Sequence, residues 1–519
     1  MKFIYGKQDM RTWERTRESS FLMTNGLGGY ASVSASFSVP RCDQGILVAA
    51  VKAPNERITL VHRLSETLRL EDRDEYLSTQ TFADGRAAED GFRNLISFTY
   101  EYTPCWTYHV GGVRVERKLC MAREENTAAV LYTLENLSDQ PCTLEITPQL
   151  KFAPKEEALQ RLDQKFTLKG GKITSPDYSL FVATDAKLER RPGRWQLLSY
   201  PEDKKDGRPE RGLAASCCAV VKTVKPGKTE QFQIVFSTKE TTLCGWELLR
   251  AQEERGKLLE ETCGLSDPIA RELAKAADAY IARRDSTNGK TILAGYPLFS
   301  DWGRDTMIAL PGCCLATGRF DDAKSILRTF LAYEKDGLVP NLFPEGENQP
   351  MYNTVDAALL LIDCVYQYVE RSGDREFIAE AYPVLERIIA NYRKGTHHSI
   401  FMDKDGLISA GGGLDQVTWM DVCVEGILPT PRHGKPVEIN AYWYNALRIM
   451  AIFAVSLGQS GNKYETLARK VKRSFVEKFY MKDKGYLKDV LSGTNADAQL
   501  RCNQIWAVSM PFTMLSPAQ

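Results

Sequence analysis

One short segment combines an indole, a guanidinium and a carboxylate, because Trp302, Arg304 and Asp305 fall within four residues. An indole ring can stack on the apolar face of a sugar ring, and arginine and carboxylate groups can bind hydroxyls through charged hydrogen bonds. The same residues allow a simpler interpretation, in which Asp305 caps a helix and Trp302 is structural. The segment alone leaves both interpretations open.

A second set of polar residues precedes an apolar helical pattern. Glu345 and Asn353 lie in a loop that contains Pro and Gly, and Asp356 stands directly before the run AALLLIDCVYQYV. A carboxylate at that position would be costly to bury without a partner. Asp356 therefore either caps the helix, where the helix dipole favours a negative charge, or binds a ligand.

A third segment begins with the three consecutive glycines Gly411 to Gly413, which permit tight bends and a close approach of a ligand. The loop then carries Trp419 and, two residues later, Asp421, and Glu438 follows in the segment VEIN. A carboxylic acid placed beside an indole in such a loop fits a general acid. A solvated loop aspartate is the alternative interpretation.

Taken together, the three segments indicate glycoside hydrolysis. This chemistry needs two carboxyl groups, together with aromatic and polar residues that hold the sugar ring. The sequence has no G-x-S-x-G or Walker motif, and its five histidines and thirteen cysteines lack the spacing of metal ligands. We therefore expect no metal and no cofactor.

Composition restricts the partners that the chain is expected to have. Lys and Arg number 67, as do Asp and Glu, so the formal net charge is +0. Proteins that coat nucleic acid or an anionic membrane need a net basic surface, so we expect neither partner. The balanced charge is more compatible with an uncharged polymer as the substrate. There is no signal-peptide segment or long apolar run, and adjacent cysteines such as Cys217-Cys218 are typical of reduced thiols. These features predict a cytoplasmic protein.

The elements that must position these residues change type near residue 245. From 1 to 244, alternating apolar and polar segments such as WTYHV and VRVERKLCM, which flank Gly111-Gly112, predict an antiparallel β-sandwich. Within it, the polar stretch 199–212 predicts an exposed loop. Residues 245–266 are predicted to form a linker helix.

From 267 to 519 the pattern is helical. The helical part begins with Asp267 as a predicted N-cap, followed by Pro268. Helical hairpins joined by long loops rich in Gly, Pro and aromatic residues indicate an α-toroid with its site in the loops. Further helices are expected near 305–317, 320–334, 354–371, 375–394, 438–456, 462–480 and 503–511.

Several ordered blocks of the chain resemble a known family. FSDWGRDTMIALPGCCLATGRFDDAKSILRTF, followed by GLVPNLFPEGENQPMYNTVDAALL, resembles the glucosidase domain of glycogen-debranching enzymes, the amylo-α-1,6-glucosidases. GGGLDQVTWMD, PTPRHGKPVEINAYWYNAL and CNQIWAVSMPFTMLSP are similar to later blocks of that family. SFLMTNGLGGYASVSASFSVPRCDQGILVAA resembles the N-terminal sandwich domain of its bacterial and archaeal members.

This resemblance implies an (α/α)6 toroid that hydrolyses single α-1,6-linked glucose residues at branch points of glycogen, a limit dextrin or a related α-glucan, with inversion. It implies that Asp421 is the general acid. It also implies that Trp302, Arg304 and Asp305 hold the non-reducing glucose. The resemblance places five further residues in the cleft: Glu345, Asn353, Asp356, Trp419 and Glu438.

The resemblance also implies that the general base lies beyond Gln519, so we expect a toroid that is truncated at its C-terminus. The helical count agrees, since about eight or nine helices are expected after residue 265, whereas six hairpins require twelve. Glu345 and Glu438 are weaker substitutes as the base. No (β/α)8 pattern is visible, so a second, sugar-transferring domain is not expected.

Two alternatives remain open at this point. The chain is either another toroid glycosidase, such as a glucoamylase-like α-glucosidase, or a glucan-binding fragment without catalytic activity. Relative rates on maltose-type, isomaltose-type and branched substrates would separate the first alternative from debranching. Glucan binding without hydrolysis would favour the second.

Overall fold

The structure is a computed structural model that describes residues 1–161, 166–343 and 349–519. The chain divides into two compact units. The first comprises Met1–Asp285 with Gly295–Leu298, and the second comprises Ser286–Ala294 with Phe299–Gln519. The predicted domain boundaries at 244 and 266 stay predictions.

Two large antiparallel sheets form most of the first unit. In spatial order, the nine strands of the first sheet are Phe3–Gly6, Leu95–Tyr100, Pro104–Val110, Val113–Met121, Thr127–Asn136, Thr229–Ser237, Ser179–Thr184, Lys172–Thr174 and Thr167–Lys169. The second sheet has eight strands. They are Lys187–Ser199, Arg211–Val224, Cys142–Pro154, Glu56–Arg69, Gly45–Lys52, Tyr30–Ser32 and Met23–Thr24, with Asp74–Tyr76 paired to Glu56–Arg69.

Both sheets contribute to one hydrophobic core. Trp106 and Val115 come from the first sheet, and Leu64 and Leu144 come from the second. Strand Val113–Met121 shows the origin of this arrangement, because its buried residues alternate with more exposed ones over most of its length. The predicted antiparallel β-architecture is confirmed.

The predicted hairpin around Gly111-Gly112 is also confirmed. Val110 pairs with Val113, and both glycines have positive φ angles, 57° and 74°. A two-residue turn of this type requires left-handed backbone at both central positions, which glycine adopts without strain.

The prediction of an exposed loop over 199–212 is wrong in part. A short helix, Pro201–Lys205, occupies the segment and buries Glu202 and Asp203. These carboxylates are buried because they have cationic partners: Arg17 Nε lies 2.7 Å from Glu202, and Arg208 Nη1 lies 3.0 Å from Asp203. A polar composition alone cannot distinguish such a paired segment from a solvated one.

The helices occur where the 3.6-residue pattern predicts them. Asp267 caps the helix that starts at Pro268, accepting hydrogen bonds of 2.9 Å from the amides of Ile269 and Ala270. In chain order, the α-helices of the described residues are α1 Trp13–Arg17, α2 Pro201–Lys205, α3 Gly245–Thr262, α4 Pro268–Asp278, α5 Gly303–Leu310, α6 Phe320–Ala332, α7 Ala357–Ser372, α8 Glu376–Lys394, α9 Val437–Ser456, α10 Asn462–Phe479 and α11 Trp506–Ser509.

Three further observations concern the groups that composition singled out. All thirteen cysteines are free thiols, and most are buried. Within the ranges that the structure describes, no three His, Cys, Asp or Glu side chains are grouped so that they could hold a metal ion. No helix in the same ranges is both long enough and apolar enough to cross a membrane.

Candidate active site

The start of α5 brings the first two polar segments together. The Gly303 amide donates to the Asn341 carbonyl at 2.8 Å, and Trp302 and Leu342 form a β-bridge. A side chain at Gly303 could not fit, because its Cβ would lie 2.0 Å from the Pro340 carbonyl oxygen. This close contact fixes Trp302 and Arg304 beside the loop that leads to α7.

Arg304 and Asp356 form an ion pair. Arg304 Nε donates to Asp356 Oδ2 at 2.5 Å, and the exposed fractions of the two side chains are 15% and 5%. Burial opposes the charge of the guanidinium, but the Asp356 carboxylate raises the pKa of Arg304 above its usual value. Asp356 occupies the N-cap position of α7, yet its side chain accepts no capping hydrogen bond. Asp356 therefore holds the N-cap position, but its side chain pairs with Arg304 and does not cap α7 through a hydrogen bond.

Asp421 lies in the same cluster through the backbone of Val417. Asp421 Oδ2 accepts hydrogen bonds from the amides of Val417 and Thr418, at 3.2 and 2.9 Å. The Val417 carbonyl in turn accepts from Arg304 Nη2 at 3.3 Å and from the Val355 amide at 3.0 Å. Two backbone donors thus orient the carboxyl group of Asp421 relative to the Arg304–Asp356 pair.

One oxygen of each of these two carboxyl groups is buried but has no hydrogen-bond partner among the described residues. These atoms are Asp356 Oδ1 and Asp421 Oδ1. The side-chain oxygens of Asn341, Asn353, Thr354 and Thr418, which lie in the same loops, share this property. Buried polar atoms are normally hydrogen-bonded, so a group of unpartnered oxygens favours a site that a polar ligand or water completes.

Trp419 presents an indole face beside Asp421. Its side chain is 49% exposed, while its Nε1 atom donates to Asn503 Oδ1 at 2.8 Å. Asn503 is buried, and its Nδ2 atom donates to Asp489 Oδ1 at 2.7 Å. The indole edge is therefore fixed by a buried amide while one face remains available for stacking.

Glu438 belongs to a buried ion-pair network on the other side of Asp489. Arg432 binds both oxygens of Glu438, with a distance of 2.7 Å from Nη2 to Oε2, and its Nε lies 2.9 Å from Asp489 Oδ2. Burial raises the pKa of Glu438, and the Arg432 guanidinium opposes that shift. Burial also favours a higher pKa for Asp489. The charges and hydrogen bonds of Arg432, Asn503 and Arg501 outweigh this effect and hold the pKa of Asp489 below its usual value.

The Tyr442 phenol is influenced by charged groups of both clusters. Burial raises its pKa most strongly, and the carboxylates of Asp356 and Glu438 raise it further, while Arg304 and Arg432 act in the opposite direction. All four charged groups are thus close enough to affect one phenol. The Arg304–Asp356–Asp421 cluster and the Arg432–Glu438–Asp489 cluster therefore belong to one region of the second unit.

Asp305 takes no part in the hydrogen bonds described above. It lies in the first turn of α5 and is exposed, and the N-cap position of that helix is Trp302 rather than Asp305. The N-cap interpretation of Asp305 is therefore wrong. Glu345 lies outside the described residues.

Several residues of the site were not singled out in the sequence. Tyr442 stands four positions after Glu438, which places both on one face of a helix, and this spacing could have identified it. Asp489 and Asn503 had no such signal, because their partners Arg432 and Trp419 lie 57 and 84 positions away in the chain.

The arrangement has several of the components that a glycosidase requires. An acid with one free oxygen can exchange a proton with a glycosidic oxygen, an Arg–Asp pair can bind hydroxyl groups, and an exposed indole can support a sugar ring. The residues that carry these functions are Asp421, Arg304 with Asp356, and Trp419.

Comparisons with known proteins agree with this chemistry. One family model, described as glycogen debranching enzyme N terminal, matches residues 19–230, and another, described as amylo-alpha-1,6-glucosidase, matches residues 275–519. The glycogen debranching enzyme of Saccharomyces cerevisiae is 30% identical over 273 residues, which is 40% of this chain and 17% of the yeast enzyme. The matched region thus spans less than a fifth of that relative.

One solved structure has a related fold. A bacterial glucoamylase in complex with acarbose has a TM-score of 0.50 at 11% identity, over 93% of this chain and 71% of that one. A putative kojibiose phosphorylase from the human microbiome has a TM-score of 0.49 at 12% identity, over 93% of this chain and 70% of that one. Together, the two family models cover most of the sequence, and the yeast relative agrees with them. The chain therefore belongs to the glycogen debranching enzyme family.

Proposed function

We propose that the protein hydrolyses α-1,6-linked glucose at branch points of glycogen or a related α-glucan, with Asp421 as the general acid. One observation carries this proposal: the free Oδ1 of Asp421 lies in the same cluster as the Arg304–Asp356 pair, joined to it through Val417. Membership of the debranching family supports the choice of the α-1,6 bond.

In this proposal, Asp421 protonates the glycosidic oxygen as the bond to the leaving glucan chain breaks. The Arg304–Asp356 pair binds hydroxyl groups of the non-reducing glucose, and Trp419 stacks on a neighbouring ring. We infer an inverting reaction, in which water attacks from the face opposite the leaving group and a second carboxylate removes its proton. Trp302, Asp305, Asn353 and Glu345 are proposed to line the cleft.

Glu438 is a poor candidate for that second carboxylate. Arg432 binds both of its oxygens in a pair that is almost fully buried, which leaves no oxygen free for water. The proposal therefore gives Glu438 a structural role, with Asp489 and Asn503, in fixing the edge of Trp419. We assign no general base within residues 1–161, 166–343 and 349–519.

The fold is proposed to be that of an (α/α)6 toroid. The described residues of the second unit contain seven α-helices, α5 to α11, and the likeness to a bacterial glucoamylase supports a shared fold. Because six hairpins contain twelve helices, we propose that these seven are part of the toroid. The thirteen free thiols support a cytoplasmic, reducing location.

The test is hydrolysis of a phosphorylase limit dextrin by the complete protein, followed by proton NMR from the first seconds. We expect glucose to be released, initially as the β-anomer. Initial release of α-glucose would contradict the inverting mechanism. No release by an intact, folded enzyme would contradict the activity itself.

A glucoamylase-type α-glucosidase is the second candidate, because a bacterial glucoamylase shares the fold. Initial rates on maltotetraose and on maltotetraose that carries one α-1,6-linked glucose separate the two functions. Debranching predicts faster release from the branched substrate. Faster hydrolysis of the linear substrate would favour the glucoamylase-type activity, and binding of both without hydrolysis would favour a glucan-binding protein.

A further inference from the structure

The first unit contains a cavity that the proposed activity does not use. Its volume is about 460 Å³, and its walls come from the strands Phe3–Gly6 and Leu95–Tyr100 and from the helices α3 and α4. All of its lining residues lie between Phe3 and Tyr280, within the first compact unit. This volume falls within the range of sites that bind small molecules, roughly 300–1,000 Å³.

Aromatic rings and apolar side chains form most of the wall. The ring of Phe21 lies nearly parallel to two neighbours: Phe98, at 6.3 Å and 25°, and Tyr100, at 6.1 Å and 24°. Met23 and Met121 add buried, flexible apolar surface. Such a wall favours a ligand that has a planar ring system.

The charged groups of the lining are balanced in number, and five of the six form ion pairs with one another. Three cations and three carboxylates line the cavity: Arg123, Arg255, Lys275, Glu101, Glu272 and Asp278. Asp278 binds Arg255 at 2.6 Å and Arg123 at 3.4 Å, and Lys275 lies 2.8 Å from Glu272. A charged ligand would have to break one of these pairs, so the lining favours a neutral one.

The amide of Gln252, the main neutral polar group of α3 at this wall, is also engaged. Its Oε1 accepts from the Met121 amide at 2.9 Å, and its Nε2 donates to the Tyr102 carbonyl at 2.9 Å. A sugar would need several free hydrogen-bonding partners for its hydroxyl groups, whereas an apolar molecule needs none.

We propose that this cavity binds a neutral, largely apolar small molecule with a planar ring system. Binding would bury the apolar surfaces of α3, α4 and the first sheet together with the ligand. Because the ligand binds the folded state, it also raises the melting temperature of the first unit.

The probe that tests this proposal is N-phenyl-1-naphthylamine, a neutral aromatic dye, titrated into the full chain by fluorescence. Two variants fill the cavity from opposite helices: Ala276→Phe on α4 and Ala251→Phe on α3. Both positions line the cavity and are exposed, so the helices tolerate the larger side chain. The matched control is Leu273→Phe, since Leu273 lies on α4, is 65% exposed and does not line the cavity.

We expect saturable 1:1 binding by the wild-type chain and by the control, with affinity at least tenfold lower in both cavity variants. Circular dichroism melting confirms that each variant is folded. Absence of saturable binding to the wild-type chain would overturn the proposal, as would equal affinity in a folded cavity variant. Displacement of the dye by maltotriose would instead identify a carbohydrate site and overturn the ligand class.

Discussion

The two compact units use carboxylate–arginine pairs in different ways. In the sheet unit, Glu66 and Arg117 are fully buried, and both oxygens of Glu66 are bound, one by Arg117 and one by the Tyr132 hydroxyl at 2.5 Å. In the helical unit, Asp356 is bound by Arg304 through one oxygen only, and its Oδ1 atom has no partner in the part of the chain that the structure describes.

This difference separates a structural pair from a candidate binding group. A buried carboxylate whose two oxygens are both held by protein donors has no unpartnered oxygen to offer a ligand, and removing its cationic partner leaves an uncompensated charge. A carboxylate with one unpartnered oxygen is less well stabilised in the protein alone, so a ligand that supplies a hydroxyl group gains that hydrogen bond. We call Glu66–Arg117 the closed pair, and Asp356 and Asp421, each with one unpartnered oxygen among the described residues, the open cluster. We expect the closed pair to control stability and the open cluster to control activity.

The largest effect is expected from Asp421→Asn. The amide oxygen can still accept the hydrogen bonds from Val417 and Thr418, so the fold should be retained, but the side chain cannot donate a proton as an acid does. We expect kcat/KM on limit dextrin to fall by about 10²–10⁴-fold with little change in the free energy of unfolding. The matched control is Asp415→Asn in the same loop, where Asp415 binds His398. A comparable loss in the control would contradict a specific role for Asp421.

The closed pair is tested by Glu66→Gln. This variant leaves the Arg117 charge buried without a carboxylate, so we expect the free energy of unfolding to fall by about 3–5 kcal/mol in urea titrations. The control is Glu135→Gln, because the Glu135–Arg114 pair is exposed and 3.8 Å apart. We expect a change of about 0–1 kcal/mol there. A loss of activity in the folded fraction of Glu66→Gln, without loss of stability, would contradict the structural role of the Glu66–Arg117 pair.

Asp363 tests whether an unpartnered oxygen alone marks a site. This residue of α7 is buried, its Oδ1 atom has no partner among the described residues, and burial raises its pKa to about 6, an effect that the Gln367 hydrogen bond partly opposes. The folded state thus binds the proton more tightly than the unfolded chain, for which the pKa is about 4. This contribution to stability is complete below about pH 4 and is lost as the pH rises to about 6.

Asp363→Asn should remove this pH dependence, because an amide carries no charge. We expect it to raise the free energy of unfolding at pH 7 by about 1–3 kcal/mol while changing kcat/KM less than about threefold. The exposed Asp321→Asn on α6 serves as the control and should leave the pH profile unchanged. A profile in Asp363→Asn that still falls between pH 4 and 6 would contradict the assignment, and a large loss of activity would extend the open cluster to Asp363.

The smallest effect is expected from Trp419→Phe. Phenylalanine keeps an aromatic face but loses the hydrogen bond from Nε1 to Asn503, which is worth about 0.5–1.5 kcal/mol. We expect KM for branched glucan to rise about 2–10-fold at an unchanged kcat, and Trp419→Ala, which also loses the stacking surface, to raise it further. A decrease in kcat without a change in KM would indicate that the indole acts on the reacting atoms instead.

The sequence was informative wherever local rules decide the outcome. Alternation and turn residues predicted the hairpin at Gly111-Gly112, and the Asp267-Pro268 pair predicted the start of α4. The spacing of Trp419 and Asp421 predicted that both lie in one loop.

The pairing of charges over long distances could not be predicted in this way. Whether the Asp356 side chain hydrogen-bonds the start of α7 or forms an ion pair depends on Arg304, which lies 52 positions away. The link from Trp419 to Asn503 joins residues 84 positions apart, and nothing in the local pattern marks it. The burial of Glu202 has the same cause, because its partner Arg17 comes from near the start of the chain.

The central claim is that the open carboxylates Asp356 and Asp421 form the site at which a branched glucan binds. The most direct test is a crystal structure of Asp421→Asn with a maltotetraose that carries one α-1,6-linked glucose. We predict that the bridging glycosidic oxygen lies within about 3 Å of the side chain at position 421. We also predict that a hydroxyl of the terminal glucose donates a hydrogen bond to Asp356 Oδ1. An oligosaccharide bound elsewhere, with Asp356 contacting Arg304 alone, would contradict the claim.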